Sequence, residues 1–277
     1  MDLVTSRQNP LVQRCRRLAA GRSLDEGALL LDGPHLVREA LAASLPIEVA
    51  VVEVDQASHV PRSGELADLA LTLQDAGVHV VGAPGRVFAA MSPVRTPSGL
   101  LALAAPPAWA DEALLAPAPA LVVVGVDIQD PGNVGAIVRA AEAAWATGVV
   151  VTGASADPFG WKALRGAMGS SLRLPVVRTA ETDAAIERLA AAGLRVLAAT
   201  SDADTSFDEV DLTGPVAVVV GGEGHGIPPA VLRRADARVA IPMRPPVDSL
   251  NVAVAAALVA FEAHRQRRQS RPRDAGC

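Results

Sequence analysis

The sequence predicts an α/β fold in two domains. A small α/β/α sandwich spans residues 1–105, and a mostly parallel sheet with helices on both faces spans residues 120–268. Three observations carry this. The chain has 277 residues, more than one average domain uses. Apolar, often β-branched runs alternate with helix-like stretches along its whole length, the order that parallel sheets require. Between the two series, Pro106, Pro107, Pro117 and Pro119 bracket the Ala-rich stretch Ala108–Ala116, which marks residues 106–119 as a linker.

In the first domain, Asn9-Pro10 starts a helix with proline at its first position, and Gly21 stops it. Ala28–Leu31 reads as a strand ended by Asp32-Gly33, Pro34–Ala43 as a helix, and Ile47–Glu53 as a β-branched strand. Glu65–Ala76 is helical and closes at Gly77. Val78–Val81 is a strand, Arg86–Met91 a short helix, and Gly99–Ala105 the last strand. In the second domain the strands are Ala120–Val126, Val149–Thr152, Pro175–Val177, Leu194–Thr200, Pro215–Val220 and Arg238–Ile241. The helices are 133–145, 183–192 and 249–265, and residues 269–277 form a flexible basic tail. Unbroken apolar strands of this kind are covered on both faces, so ligands bind in the loops at their carboxyl ends.

Composition excludes several classes. Half the residues are hydrophobic and 20% are charged, which supports a real core and rules out disordered and fibrous chains. Runs such as Val252–Phe261 are too short to span a bilayer, and no basic-then-apolar leader follows Met1, so a cytoplasmic location is expected. Cys15 and Cys277 sit at opposite ends, which fits neither a disulfide scaffold nor a CxxC metal cluster, and no metal is expected. Lys162 is the one lysine, and Ala163 follows it, so the Gly-Lys-Ser/Thr of a P-loop is missing. The net charge of −5 hides a segregated distribution. Arg7, Arg14, Arg16, Arg17 and Arg22 face only Asp2 in the first 24 residues. Arg139, Lys162, Arg165, Arg173 and Arg178 form a second group, and Arg265, Arg267, Arg268, Arg271 and Arg273 a third. Such patches contact phosphates even on an acidic protein, or they are solvated helix faces. Tyrosine is absent and aromatics are few, so an RNA base would stack on Arg or His rather than on an aromatic platform.

Three loops concentrate the chemistry. In Asp127-Ile128-Gln129-Asp130-Pro131-Gly132-Asn133, a strand empties into a Pro-Gly turn, Asn133 is placed to cap the next helix, and Arg139 follows inside it. Helical side chains lean toward the N-terminus, so Arg139 either reaches back to bind a phosphate or is a plain surface arginine. In Gly221-Gly222-Glu223-Gly224-His225-Gly226-Ile227-Pro228, four glycines imply unusual dihedrals or close approach of a ligand to main chain. Glu223 accepts hydrogen bonds there, and His225 is a base or polar surface. The spacing is not GxGxxG, which argues against a Rossmann oxidoreductase. In Ile241–Ala255, a proline-stiffened loop leads to Asp248-Ser249, an ordinary N-cap, and Asn251 falls inside the helix with no structural purpose evident.

Taken together and in this order, these segments resemble the SpoU-type (TrmH-like) RNA 2′-O-ribose methyltransferases of the SPOUT superfamily. The segments are Asn133-x-Gly135-x-x-x-Arg139, Gly221–Pro228, and Ile241-Pro242-Met243 with Ser249-Leu250-Asn251-Val252-Ala253-x-Ala255. Ser6-Arg7-Gln8-Asn9-Pro10 and Leu31–Ala40 are similar to the L30e-like substrate-binding extension of that family. The resemblance implies a C-terminal trefoil knot, a homodimer, and methyl transfer from S-adenosyl-L-methionine to a ribose 2′-hydroxyl of structured RNA. Ribosomal (23S) RNA is favoured over tRNA, and a non-catalytic RNA-binding or ribosome-assembly module is the competing reading. It implies cofactor contacts at Thr200, Gly221, Gly222, Glu223, Gly224, Ile241, Met243, Ser249 and Leu250, and RNA contacts at Arg7, Arg14, Arg16, Arg17 and Arg22. It also implies catalytic roles: Arg139 pairs with the adjacent phosphate and assists proton removal, Asn133, Ser249 and Asn251 hold substrate and Arg139 in line, and Glu223 orients the network. One departure stands out: Ala144-Trp145-Ala146 replaces the glycine usual near the end of the first helix. Trp145 is expected to alter packing against the sheet or a partner copy.

Overall fold

The computed structural model describes residues 1–21, 27–222, 224 and 226–270. It divides into two compact units. The first comprises Met1–Ala108 with Phe159–Arg173, and the second Trp109–Pro158 with Leu174 onward.

The first unit is a five-stranded sheet between two helical layers. Its strands are β1 (Asp2–Leu3), β2 (Leu29–Asp32), β3 (Ile47–Val54), β4 (His79–Pro84) and β5 (Leu100–Ala104), in the order β1-β4-β3-β5-β2. The first three strands in that order run parallel, whereas β5 is antiparallel to β3 and β2. Helices α1 (Pro10–Ala19) and α4 (Gly85–Met91) bury Val12, Cys15, Leu18, Val87, Phe88 and Met91 on one face. Helices α2 (Pro34–Ala42) and α3 (Gly64–Asp75) cover the other. Asn9 caps α1, its side-chain Oδ1 accepting from Leu11 N at 2.9 Å, as the Asn-Pro pair predicts.

The sequence reading gave residues 159–173 to the second domain, and the structure groups them with the first unit. Helix α6 (Trp161–Ala167) and the 3₁₀ turn Ser170–Leu172 deliver Leu164 and Leu172 into the core beneath α2 and α3. The Trp161 indole N–H donates to the Ala19 carbonyl at 2.9 Å. Residues 106–119 are likewise not a free tether in their second half. Asp111–Leu115 form a 3₁₀ helix whose Leu114 is buried, and Thr147 Oγ1 donates to its carbonyl at 2.5 Å.

The second unit is built on a six-stranded sheet, all parallel, in the order β11-β9-β10-β6-β7-β8. Its strands are β6 (Leu121–Val126), β7 (Gly148–Thr152), β8 (Val176–Thr179), β9 (Arg195–Ala199), β10 (Val216–Gly221) and β11 (Ala237–Val239). Helices α5 (Pro131–Ala143) and α9 (Val252–Ser270) pack together on one face. Helix α7 (Thr182–Ala191) and the single turn α8 (Pro229–Leu232) bury Ile186, Leu189 and Val231 on the other. From β6 the chain steps outward through β7 and β8, then returns to β9 on the far side of β10. The sheet therefore reverses direction between β6 and β10, where open α/β sheets bind ligands.

Several local expectations change. Asp130, not Asn133, caps α5, accepting from Gly132 N at 2.6 Å and Asn133 N at 3.1 Å. Helix α9 starts at Val252 rather than 249, and Asn251 is its cap, accepting from Ala253 N at 3.0 Å and Val254 N at 3.3 Å. Two arginines of the third basic group are engaged by the protein itself. Arg265 is held by Glu262 through bonds of 2.6 and 2.7 Å. Arg267 donates to the carbonyls of Leu212, Pro119, Ala120 and Gly214 at 2.6–3.1 Å. Arg271, Arg273 and the rest of the expected tail beyond Ser270 lie outside the described residues, as do Arg22 and Cys277.

Candidate active site

The parallel register of β10 on β6 runs to the last residue, Gly221 opposite Val126, so both strands discharge their loops side by side. A cavity of about 350 Å³ opens at the carboxyl ends of β9, β10 and β11. Thr200, Gly221, Gly222, Ile241 and Met243 line it, together with Ser249 and Leu250 from the loop that leads into α9. Seven residues singled out from the sequence, scattered over fifty positions, thus share one wall. Gly224 is exposed with open space around it and is not part of the lining, and Glu223 and His225 lie outside the described residues.

Gly226 has the positive φ (62°) that the glycine density implied, and Gly221 and Gly222 serve a further purpose. A Cβ on Gly221 would lie 2.2 Å from the carbonyl carbon of Gly226, and one on Gly222 would lie 2.2 Å from the carbonyl oxygen of Asp127. Main chain of the protein itself, rather than a ligand, fills the missing side-chain positions. The loop folds back on β10 with Gly226 N donating to Gly222 O at 3.0 Å.

Asn251 Nδ2 donates to Asn133 Oδ1 at 3.0 Å, joining the first and third loops across 118 positions of sequence. The cap of α9 is therefore also a tether to the first turn of α5. The sequence could not supply this purpose for Asn251, because it depends on a partner so far away in the chain. Arg139 lies two turns into α5, exposed, on the same helix as Asn133, and Ser249 is exposed with its Oγ donating to Asp248 Oδ1 at 3.0 Å. Residues not foreseen from the sequence also line the cavity: Ser201 and Asp202 after β9, and Ile227, Leu232 and Val239, which supply its apolar floor. The signal for Ser201, Asp202 and Val239 was position, since each follows or ends a strand; Ile227 lies in the glycine loop, and Leu232, which ends α8, gave none.

The cavity meets a test for a bound cofactor. Thr200 Oγ1 is buried and has no hydrogen-bond partner among the described residues, an arrangement that costs about 1–3 kcal/mol unless a ligand or water completes it. The lining mixes this hydroxyl and loop main chain with Ile241, Met243 and Leu250, which suits a ligand with both polar and apolar parts.

The predicted RNA-contacting arginines sit in the first unit on and around α1. Arg16 and Arg17 are exposed in its last turn. Glu48 pairs with Arg14 at 2.5 Å, and Arg7 donates to the Arg86 carbonyl at 3.3 Å. Trp145 does not pack on the sheet. It holds a left-handed backbone (φ 62°), is 71% exposed, and stacks on His264 of α9 with ring centroids 5.7 Å apart.

An all-parallel sheet with a cavity at the carboxyl ends of β9, β10 and β11, and a bonded Asn pair next to it, is the arrangement of an α/β enzyme that takes its ligand at the strand ends. Comparison with known proteins makes this specific. Residues 120–261 match the model of the SpoU rRNA Methylase family, and the chain belongs to that family. It is 35% identical over 95% of its length to an uncharacterized tRNA/rRNA methyltransferase of Synechocystis sp., covering 93% of that protein. It is 30% identical to the 23S rRNA (guanosine(2553)-2′-O)-methyltransferase RlmP of Bacillus subtilis, over 94% of this chain and 98% of RlmP. The AdoMet-bound rRNA methyltransferase of Sinorhizobium meliloti superposes with a TM-score of 0.82 at 27% identity, covering 98% of this chain and 99% of that one.

Proposed function

We propose that the protein transfers a methyl group from S-adenosyl-L-methionine to a ribose 2′-hydroxyl of structured RNA, with 23S rRNA as the first substrate to test. The observation that carries this reading is the Asn133–Asn251 bond beside a cavity lined by seven of the residues assigned to the cofactor. Thr200, Gly221, Gly222, Ile241, Met243, Ser249 and Leu250 hold the cofactor, with Glu223 and Gly224 completing the loop around it. The bound cofactor supplies an electrophilic methyl carried on a sulfonium. What the chain adds is placement of the attacking oxygen and relief of its proton. Arg139 pairs with the phosphate next to the target ribose and stabilises the negative charge that develops on the oxygen as the hydroxyl gives its proton to solvent water. Asn133, Asn251 and Ser249 keep that oxygen and Arg139 in line, and Glu223 orients the same network. Positioning of this kind supplies up to about 7–11 kcal/mol toward a bimolecular reaction.

The first unit binds RNA through Arg7, Arg16, Arg17 and Arg22, with Arg14 partly neutralised by Glu48. The working form is a homodimer. Val254, Leu258 and Phe261 make an exposed apolar stripe at helical spacing on α9, and with Ala136 and Ala140 of α5 they line a groove of about 470 Å³ that a second copy covers. The reading includes a trefoil knot in the stretch from β10 to α9 and a cytoplasmic location; no described helix is long and apolar enough to cross a membrane.

Incubation with cofactor carrying a tritiated methyl group and, separately, 23S rRNA and tRNA tests the proposal. Label in alkali-resistant dinucleotides of 23S rRNA is the expected result, since only a 2′-O-methyl blocks cleavage there. Label on a base sinks it. Cofactor binding without transfer to any RNA would favour the non-catalytic module instead.

A further inference from the structure

We propose that Asp127 is a positioning residue for methyl transfer: its backbone turn and its carboxylate join the loops leaving β6, β7 and β10, and so fix the start of α5 that carries Asn133 and Arg139. The inference rests on the roles given to those two residues above.

Asp127 has φ 56°, a left-handed conformation that only glycine, asparagine and aspartate adopt with ease. That turn reverses the chain as it leaves β6, so that Ile128 folds back fully buried over Gly125, where a Cβ would lie 3.1 Å from Ile128 Cγ1. On one side the turn is stapled to the loop after β7. Asp127 Oδ1 accepts from Ala154 N at 2.7 Å, Ser155 Oγ accepts from Ile128 N at 2.9 Å, and Ala156 N donates to Ile128 O at 2.8 Å. On the other side it abuts the loop after β10. The Asp127 carbonyl occupies the space beside Gly222 that excludes any side chain there, and Gly222 N donates to Val126 O at 2.9 Å.

Three residues later Asp130 caps α5, and the next turn presents Asn133 to Asn251. The link is short and held at both ends, so a shift at Asp127 passes to the Asn133–Asn251 contact. A residue needed only for the turn would be replaceable by glycine, which adopts the same φ at no cost. The carboxylate staple is the part glycine cannot supply.

Asp127→Gly and Asp127→Asn separate these roles in the full-length chain. With glycine the turn stays and the staple goes. The expected result is a melting temperature close to the parent's and amide exchange at residues 154 and 156 faster by about tenfold. With them come a kcat lower by about tenfold and a cofactor Kd little changed, the scale of one charge-assisted hydrogen bond. Asparagine keeps both the turn and an acceptor oxygen, and should restore exchange and kcat to within about threefold of the parent. Parental kcat or parental exchange at residue 154 in Asp127→Gly overturns the proposal, as does an Asp127→Asn variant as impaired as the glycine variant. If Asp127→Gly fails to fold, Ser155→Ala removes the neighbouring staple and must show the same kcat-selective loss; full activity there overturns the proposal. A parent chain that methylates no RNA counts against the function proposed above, and the exchange measurement then still decides whether Asp127 holds the β7 loop.

Discussion

The two ends of the six-stranded sheet are finished in opposite ways. At the amino end, where β6 and β10 begin, polar groups are closely matched. Arg267 reaches from α9 to four backbone carbonyls, Gln266 bonds Val210 O and Leu212 N, and Thr147 Oγ1 donates to the Leu114 carbonyl and accepts from Leu121 N. At the carboxyl end, Asp127 sits in a left-handed turn, glycines are crowded by main chain, and the Thr200 hydroxyl is buried without a partner among the described residues. Both ends use polar groups to hold the fold, and the carboxyl end also leaves the Thr200 hydroxyl over for a ligand. Helix α9 spans both, its cap Asn251 bonded to Asn133 at the open end and its Arg267 in the sealed end.

The largest effect belongs to the open end. Arg139→Ala should lower methyl transfer by about 100-fold or more with the melting temperature unchanged, because an exposed arginine contributes little to stability. Steady-state kinetics beside calorimetry checks both halves, and full activity removes Arg139 from the mechanism. Next comes the closed end. Arg267→Met keeps the stem and removes one donor from each of four carbonyls, which should destabilise the second unit by about 2–3 kcal/mol, seen as a melting temperature lower by roughly 5–10 °C. If instead stability held and only activity fell, the division between the two ends would be wrong.

Thr200→Val is a sharper probe, because its two readouts move differently. Removing an unsatisfied buried hydroxyl should leave stability equal or slightly higher, while cofactor affinity drops by about fivefold, the worth of one hydrogen bond. A loss of stability with unchanged affinity would mean the hydroxyl serves the fold. The smallest effect lies in the first unit, whose sealed core gives a reference. Burial pushes the Cys15 thiol from 9.0 up to about 12. Below pH 9 it is neutral in folded and unfolded chains alike. Above that, the unfolded chain releases the proton first, so stability declines as pH rises toward 12. With no tyrosine and one lysine, few other groups titrate there, and Cys15→Val should flatten that decline in urea titrations.

Much of the fold was legible because strand and helix speak through local pattern. The apolar runs Ile47–Glu53, Ala120–Val126 and Pro215–Val220 became strands, and two of the three glycine- and proline-marked loops, those after β10 and β11, became walls of the cavity. What stayed hidden depended on distant partners. Helix α6 has seven residues and no strong periodicity, and only the core it enters explains Leu164 and Leu172. Asp130, Asn133, Asp248, Ser249 and Asn251 are all acceptable caps. The choice of Asp130 and Asn251 follows from where α5 and α9 meet, which no window of sequence contains. Arg267 read as a basic surface because the carbonyls it binds lie more than fifty positions away. Trp145 was noticed as a departure, but its left-handed backbone and its stack on His264 needed coordinates.

Because residues 159–173 complete the core of the first unit, the two units are interleaved in sequence rather than strung end to end. A transplant of the first hundred residues onto another enzyme would carry α2 and α3 without the leucines that cover their inner faces. Moving this first unit intact into another protein has to carry two separate stretches of gene at once.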